Sequence, residues 1–313
     1  MRQLLFLILL ASTASAQVRV EIRENEVWLI RNGQPKQLTR DGRSKLQVLY
    51  SFAFNRIAYY EQCPESEHCT PSVIVLDPDG NRLQSFQPQP SALGEPGPCG
   101  SILNISWASA ERTIGVECHV NPSVSEYVEI DPSTGKTLRD LAGLGFMPSF
   151  FGDHIAYIRP LVHFAPPYAK SNYLLIDGMT VYPLPRGVRP RAEKANEPKI
   201  DVVRQNGSRF VGIHDFVSGF SWSPDSNKVA FIDCISDWIE KGSDAGGGSI
   251  GEAVNNKCSI AVVALDGAVT LFPLPPDVPL YPSNPGERTF LSWQGGSDSV
   301  VFTWPANRTF KLP

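Results

Sequence analysis

The side chains able to do chemistry are plentiful in this chain but widely separated. Five histidines stand at positions 68, 119, 154, 163 and 214, and neither a His-Glu-x-x-His helix nor another ligand spacing draws them together. No complete Gly-x-x-x-x-Gly-Lys-Ser/Thr phosphate loop is present. Glu61, Glu65, Glu67, Asp237 and Glu240 are carboxylates from which a glycoside-cleaving pair would have to be drawn, and their spacing selects no pair. Cys63, Cys69, Cys99, Cys118, Cys234 and Cys258 include no Cys-x-x-Cys step, so disulfides are the better reading than zinc. Six cysteines allow 15 pairings, and spacing alone does not choose among them. No catalytic residue, metal or cofactor is expected.

Aromatic and cationic side chains are the remaining candidates, and they suit binding. Trp238 lies among charges in Asp237-Trp238-Ile239-Glu240-Lys241, followed by the Gly246-Gly247-Gly248-Ser249 tract. Arg159, His163 and Tyr168 share a segment stiffened by Pro160, Pro166 and Pro167. Such residues give large contact area with few rotamers to freeze, the composition of an interaction anchor.

Composition limits what can carry these residues. Of 313 residues 42% are hydrophobic, enough for a real core and too many for a disordered chain. Gly (25) and Pro (27) are so frequent that a helical bundle is excluded in favour of many turns. The net charge of −4, with no basic run, lacks the footprint of a nucleic-acid binder. Met1-Arg2, the apolar run Leu4 to Leu10 and Ala14-Ser15-Ala16 form a secretory signal over residues 1–16. That apolar run is too short to span a bilayer. The mature chain, 17–313, is expected to be one exported domain in the periplasm or outside the cell, with no transmembrane segment.

The positioning elements are short strands. Five times the chain writes Ser–aromatic, a polar gap, then a β-branched, a small and usually an aromatic residue. The copies are Ser51-Phe52 with Ile57-Ala58-Tyr59, Ser106-Trp107 with Ile114-Gly115-Val116, and Ser149-Phe150 with Ile155-Ala156-Tyr157. Ser221-Trp222 with Val229-Ala230-Phe231 and Ser292-Trp293 with Val300-Val301-Phe302 complete the set. Each reads as a pair of strands, A and B. A second hairpin, C and D, with an Asp- or Asn-containing turn lies between copies, at Asp77, Asp131, Asp177-Gly178 and Asp266-Gly267. A lone C–D hairpin around Asn32-Gly33 opens the chain and a lone A–B pair around Trp293 ends it. Joining the two would complete a four-stranded unit and seal a ring. Four-stranded units repeating at more than 40 residues are the pattern of a β-propeller. A further hairpin at Ile200–Ile213 leaves two counts open: five blades with an insertion, which is favoured, or six.

Phe220-Ser221-Trp222-Ser223-Pro224-Asp225-Ser226-Asn227-Lys228-Val229-Ala230-Phe231 resembles the repeat of TolB-like, WD-repeat-like propellers of exported bacterial proteins. The resemblance implies a propeller and leaves the role open, because such folds host binding, scaffolding and enzymatic functions. In this frame the long connections all fall on one face, and sequential bridges Cys63–Cys69, Cys99–Cys118 and Cys234–Cys258 would staple them. The expected function is a non-catalytic binding or scaffold module for a protein or cell-envelope partner, acting through that face. The alternative is a carbohydrate-active hydrolase or lyase with its site in the central funnel.

Overall fold

In the computed structural model, every regular element among the described residues is a β-strand. The structure describes residues 18–62, 69–108, 110–121, 124–159, 171–184, 187–192, 204–205, 209–243, 249–275, 291–303 and 308–312. The expected export signal at residues 1–16 lies outside them.

The strands follow one another as antiparallel meanders. The first unit is β1 (Val18–Arg23), β2 (Glu26–Arg31) and β3 (Gln34–Gln37). The second is β4 (Lys45–Ser51), β5 (Arg56–Glu61), β6 (Ser72–Leu76) and β7 (Arg82–Phe86). The third comprises β8 (Ile102–Ala108), β9 (Thr113–Asn121), β10 (Val124–Ile130) and the first half of β11 (Thr137–Pro148). The second half of β11 begins the fourth, continued by β12 (Ile155–Ile158), β13 (Leu174–Ile176), β14 (Met179–Tyr182) and β15 (Arg191–Ala192). One strand serves two units because Gly143 and Gly145 lie where its partner changes from β10 to β12, Gly145 with φ of 64°. A Cβ at Gly143 would meet the Ile158 carbonyl oxygen at 2.6 Å, so only glycine lets the strands approach there.

The fifth unit holds β16 (Arg204–Gln205), β17 (Arg209–Phe216), β18 (Ser221–Trp222), β19 (Lys228–Ser243), β20 (Ser249–Ala264) and β21 (Val269–Pro273). The sixth is β22 (Leu291–Gln294), β23 (Ser299–Phe302) and β24 (Arg308–Lys311). Turn chemistry sets the hairpins. Asn32-Gly33 (φ 53° and 77°) and Asp177-Gly178 (φ 50° and 85°) place two consecutive left-handed residues, whose twist matches paired strands. In the longer turns an aspartate folds the chain onto itself, as where Asp77 accepts the N–H groups of Asp79 and Asn81, both at 2.9 Å.

Burial explains the residue order of each B strand. Successive side chains point to opposite faces. Ile57 and Tyr59 pack on the first unit, while Ala58 and Tyr60 face the third. Val229 and Phe231 likewise pack on the fourth unit, while Ala230 and Ile232 face the sixth. Tyr127, Phe146, Ile155 and Tyr157 fill the junction of the third and fourth. The core is thus a series of apolar layers between successive sheets, and burying one such Ile or Phe stabilises by about 1.5–3 kcal/mol.

Two expectations change. The Ser–aromatic reading slips by two residues in its first and third copies. Pairing registers align Tyr50, Trp107, Pro148, Trp222 and Trp293, which face Ile57, Ile114, Ile155, Val229 and Val300. Phe52 and Phe150 therefore lie in the turns after their strands. The true position is structural, since Trp222 donates its indole N–H to the Met147 carbonyl at 2.8 Å and Trp293 to that of Ser221 at 3.1 Å. Secondly, the terminal segments do not combine into one four-stranded sheet among the described residues. β1 already occupies the edge of β2, and β24 the edge of β23, that such a union requires. The hairpin expected at Ile200–Ile213, as far as it is described, adds to the fifth unit through β17 on the edge of β19, in keeping with the favoured insertion.

Candidate functional site

The strands of the fifth unit outgrow their sheet. β19 and β20 each run 16 residues, paired from Lys228 opposite Ala264 to Ser243 opposite Ser249. Only the segment Ser259–Val263 is covered by β21. What the sequence presents as a loop, Asp233–Lys257, is therefore a projecting arm, backed on its other edge by β17. It looks like a loop because its apolar residues, among them Ile235, Trp238, Ile239 and Val254, keep no strict alternation among the polar ones. A signal was nevertheless present: Cys234 and Cys258 lie equally far either side of Gly246, as a hairpin centred there requires. Those cysteines are directly opposed across the strands, Cα atoms 4.0 Å apart, and their disulfide clamps the arm where it leaves the sheet.

Beyond the clamp, Asn255 and Asn256 together oppose Ser236, a bulge that gives Asn255 a φ of 57°. Asp237 stitches all three strands, accepting the Gly212 N–H at 3.2 Å and the Asn255 side-chain amide at 2.9 Å. Ile235, Ser236, Asp237, Asn255, Asn256 and Lys257 line an open groove of about 370 Å3 at this bulge. Trp238 is half-buried in β19, not held out on a loop. Its ring lies on Gly251, where a Cβ would come within 2.6 Å of the indole nitrogen. That buried nitrogen has no hydrogen-bond partner among the described residues.

The root of the arm is a polar knot. Asp233, buried, accepts the Tyr182 hydroxyl at 2.7 Å and faces His214 Nδ1 at 2.6 Å through the same oxygen. Its other carboxylate oxygen is buried with no hydrogen-bond partner among the described residues. Burial and the neighbouring Asp233 charge push the Tyr182 hydroxyl above its usual range, so it stays a donor. Burial and Asp233 likewise push the Asp215 carboxyl up. Ser171 and Asn172 tie the knot to the fourth unit, their partners being the His214 N–H at 3.0 Å and carbonyl at 2.8 Å.

The other expected residues divide. Arg159 is buried, its guanidinium 3.9 Å over the Tyr173 ring and its N–H on the Tyr173 carbonyl at 2.9 Å. It packs on Tyr173 at the start of its connection. His163, Tyr168, His68, Glu65 and Glu67 lie outside the described residues, as does Cys63 and with it the Cys63–Cys69 pairing. The Cys99–Cys118 bridge is present, with Cα atoms 5.6 Å apart. Its loop is also latched by two carboxylates, Asp140 accepting the Ser91 hydroxyl at 2.8 Å and Glu126 the Leu93 N–H at 2.7 Å. Burial pushes both of those carboxyls up, and Glu117 with them. Glu61 pairs with Arg43 at 3.3 Å. No Gly-x-Ser-x-Gly elbow is expected, yet Gly247-Gly248-Ser249-Ile250-Gly251 has that spacing. An elbow needs a strand-to-helix turn, and Ser249 instead begins a strand of the arm. No group of three or more metal-ligating side chains occurs among the described residues.

No family model matches the chain, and no curated protein matches it. Among solved structures, TolB from Acinetobacter baumannii aligns with a TM-score of 0.35 at 13% identity, over 83% of this chain and 64% of TolB. The chain thus spans just under two thirds of that protein's length. The β-propeller domain of the Trilobed protease from Pyrococcus furiosus, of open velcro topology, aligns at 0.36 and 10% identity, over 94% and 89%. An oligogalacturonate lyase aligns at 0.37 and 11% identity, over 73% and 53%.

Proposed function

We propose that this chain is an exported, non-catalytic β-propeller that binds a protein or cell-envelope partner through its arm-bearing face, in the periplasm or outside the cell. The observation that carries this reading is the arm. A three-stranded projection, clamped at its root by a disulfide, holds polar groups and a groove clear of the core at little ordering cost on association. Among the described residues, several carboxylates on this side are engaged within the fold. Asp237 stitches the arm, Glu61 meets Arg43, and Glu126 and Asp140 latch a loop.

The blades are six on this reading, the terminal units being three-stranded and closing the ring by facing each other. Burial supports it. Val27 and Leu29 pack on the second unit, so Ile30 points the opposite way, yet it is only 6% exposed. Val301, pointing away from the fifth unit, is only 3% exposed.

Replacing residues 237–255 by an Asn-Gly turn keeps the disulfide and the sheet below it. The shortened protein should melt as the parent does and capture no partner from an envelope extract of the native host. A partner retained by the shortened protein would overturn the reading.

A further inference from the structure

The face opposite the arm carries the turns between each A and B strand. In the fifth unit that turn is Ser223-Pro224-Asp225-Ser226-Asn227, with Asp225 accepting the Ser223 hydroxyl at 2.6 Å and the Asn227 N–H at 3.1 Å. In the sixth it is Gly295-Gly296-Ser297-Asp298. These are residues that tight turns favour. The second and fourth units depart from this chemistry. Their turns carry Phe52 and Phe54, and Phe150 and Phe151, exposed by 66%, 42%, 77% and 47%. Phe52 meets Tyr50 and Phe150 meets Phe151 edge-on, yet all four rings stay exposed, and turn geometry does not call for apolar rings there.

The turn of the third unit is hydrogen-bonded to both turns and links the two pairs. Glu111 accepts the Ala53 N–H at 2.9 Å through its carboxylate and the Ser51 hydroxyl at 3.2 Å through its carbonyl. On the other side the Ala110 N–H bonds to the Phe151 carbonyl. The patch therefore has a centre and two arms of matching character. On one side stand two phenylalanines followed by the cation Arg56, on the other two phenylalanines followed by the exposed anion Asp153.

We propose that this face docks a second copy of the chain about a two-fold axis through the third unit's turn. The axis lays Phe52 and Phe54 of each copy on Phe150 and Phe151 of the other and brings Arg56 against Asp153 twice. A patch whose halves complement each other is what an isologous interface requires. The area agrees. A phenylalanine buries roughly 150–250 Å2, so the four exposed fractions amount to on the order of 450 Å2. A stable interface buries about 800 Å2 per partner, of which the apolar share is about 500 Å2. The patch thus supplies nearly the whole apolar centre of one such interface, and the turns around it supply the rim.

Sedimentation of the full mature chain from about 1 to 100 μM tests this, a range that spans moderate dimer affinities. The parent should be a dimer, and Phe150→Asp should weaken dimerisation at least about 30-fold with an unchanged melting temperature. Phe150→Ser serves equally if the aspartate variant fails to fold. Arg56→Glu and Asp153→Arg should each weaken the dimer, and the double variant should restore it. A parent that stays monomeric, or a dimer indifferent to Phe150, overturns the proposal. So does a charge reversal that fails to rescue. Binding of a monomeric parent to phosphatidylcholine vesicles, lost in Phe150→Asp, would give the same rings to a lipid surface instead.

Discussion

Two histidine–aspartate pairs lie on opposite faces of the molecule, and their surroundings differ in charge. On the short-turn face His154 meets Asp177 at 2.6 Å, and Asp177 meets Arg139, which also holds the buried Glu129 at 2.6 Å. Thr113 completes Glu129, and the His154 ring stacks on Trp222 of the fifth unit. Every charge here has an opposite, and the network binds three units together. At the root of the arm His214 meets Asp233 at the same 2.6 Å, but the second acid, Asp215, pairs among the described residues with Asn172 and with no arginine or lysine. One oxygen of Asp233 is buried without a hydrogen bond among the described residues. The same two residue types therefore make a closed brace in one place and an unbalanced, acid-rich joint in the other. The joint lies where the arm leaves the blade.

That contrast predicts unequal costs. Arg139→Met should be the most damaging single change, losing about 3–5 kcal/mol in urea unfolding, because it strands the Glu129 carboxylate in the interior. Asp233→Asn should cost no more than about 1 kcal/mol, since the shape and one acceptor remain and the lost charge had no full counterpart. Equal losses in the two variants would erase the distinction between brace and joint.

The pH dependence sharpens it. The raised Asp215 carboxyl favours its protonated form in the folded state, so its contribution is best in acid and declines as pH rises through its folded value. Asp215→Asn should raise the melting temperature near pH 7, with the gain vanishing near about pH 3. Asp225 is the opposite case. Burial opposes its charge, but bonds from Ser223, Ser297 and Asn227 hold its carboxyl far below the usual range. Its contribution is present above the ordinary carboxylate range and lost as pH falls, so Asp225→Ala should cost stability at neutrality and little in acid. The smallest effect belongs to His154→Gln, within about 0.5 kcal/mol by thermal melting, because the ring is half-exposed and the Arg139 links survive it.

The sequence made legible what is local. The Asp and Asn-Gly turns and the apolar B strands follow from neighbours along the chain, and the Cys99–Cys118 and Cys234–Cys258 bridges follow once the repeat is read. The two-residue slip arose because Ser51-Phe52 and Ser149-Phe150 imitate Ser221-Trp222 while lying in turns, and only cross-strand register tells them apart. The arm was hidden because its strands, broken by a bulge at Ser236, carry no regular alternation. Asp233, His214 and Tyr182 come from strands far apart in sequence, and no spacing foretells their meeting. Trp238 lies in the arm with its ring on Gly251, and the Arg159 guanidinium lies over the Tyr173 ring.

The central claim is that the arm-bearing face receives the partner while the short-turn face does not. A photo-crosslinking residue placed at Asn256, in the arm groove, and separately at Asp266, on a short turn, tests it in the native host. The account predicts a cross-link to a different protein from Asn256 and none from Asp266. A foreign partner captured at Asp266 and absent at Asn256 would contradict it.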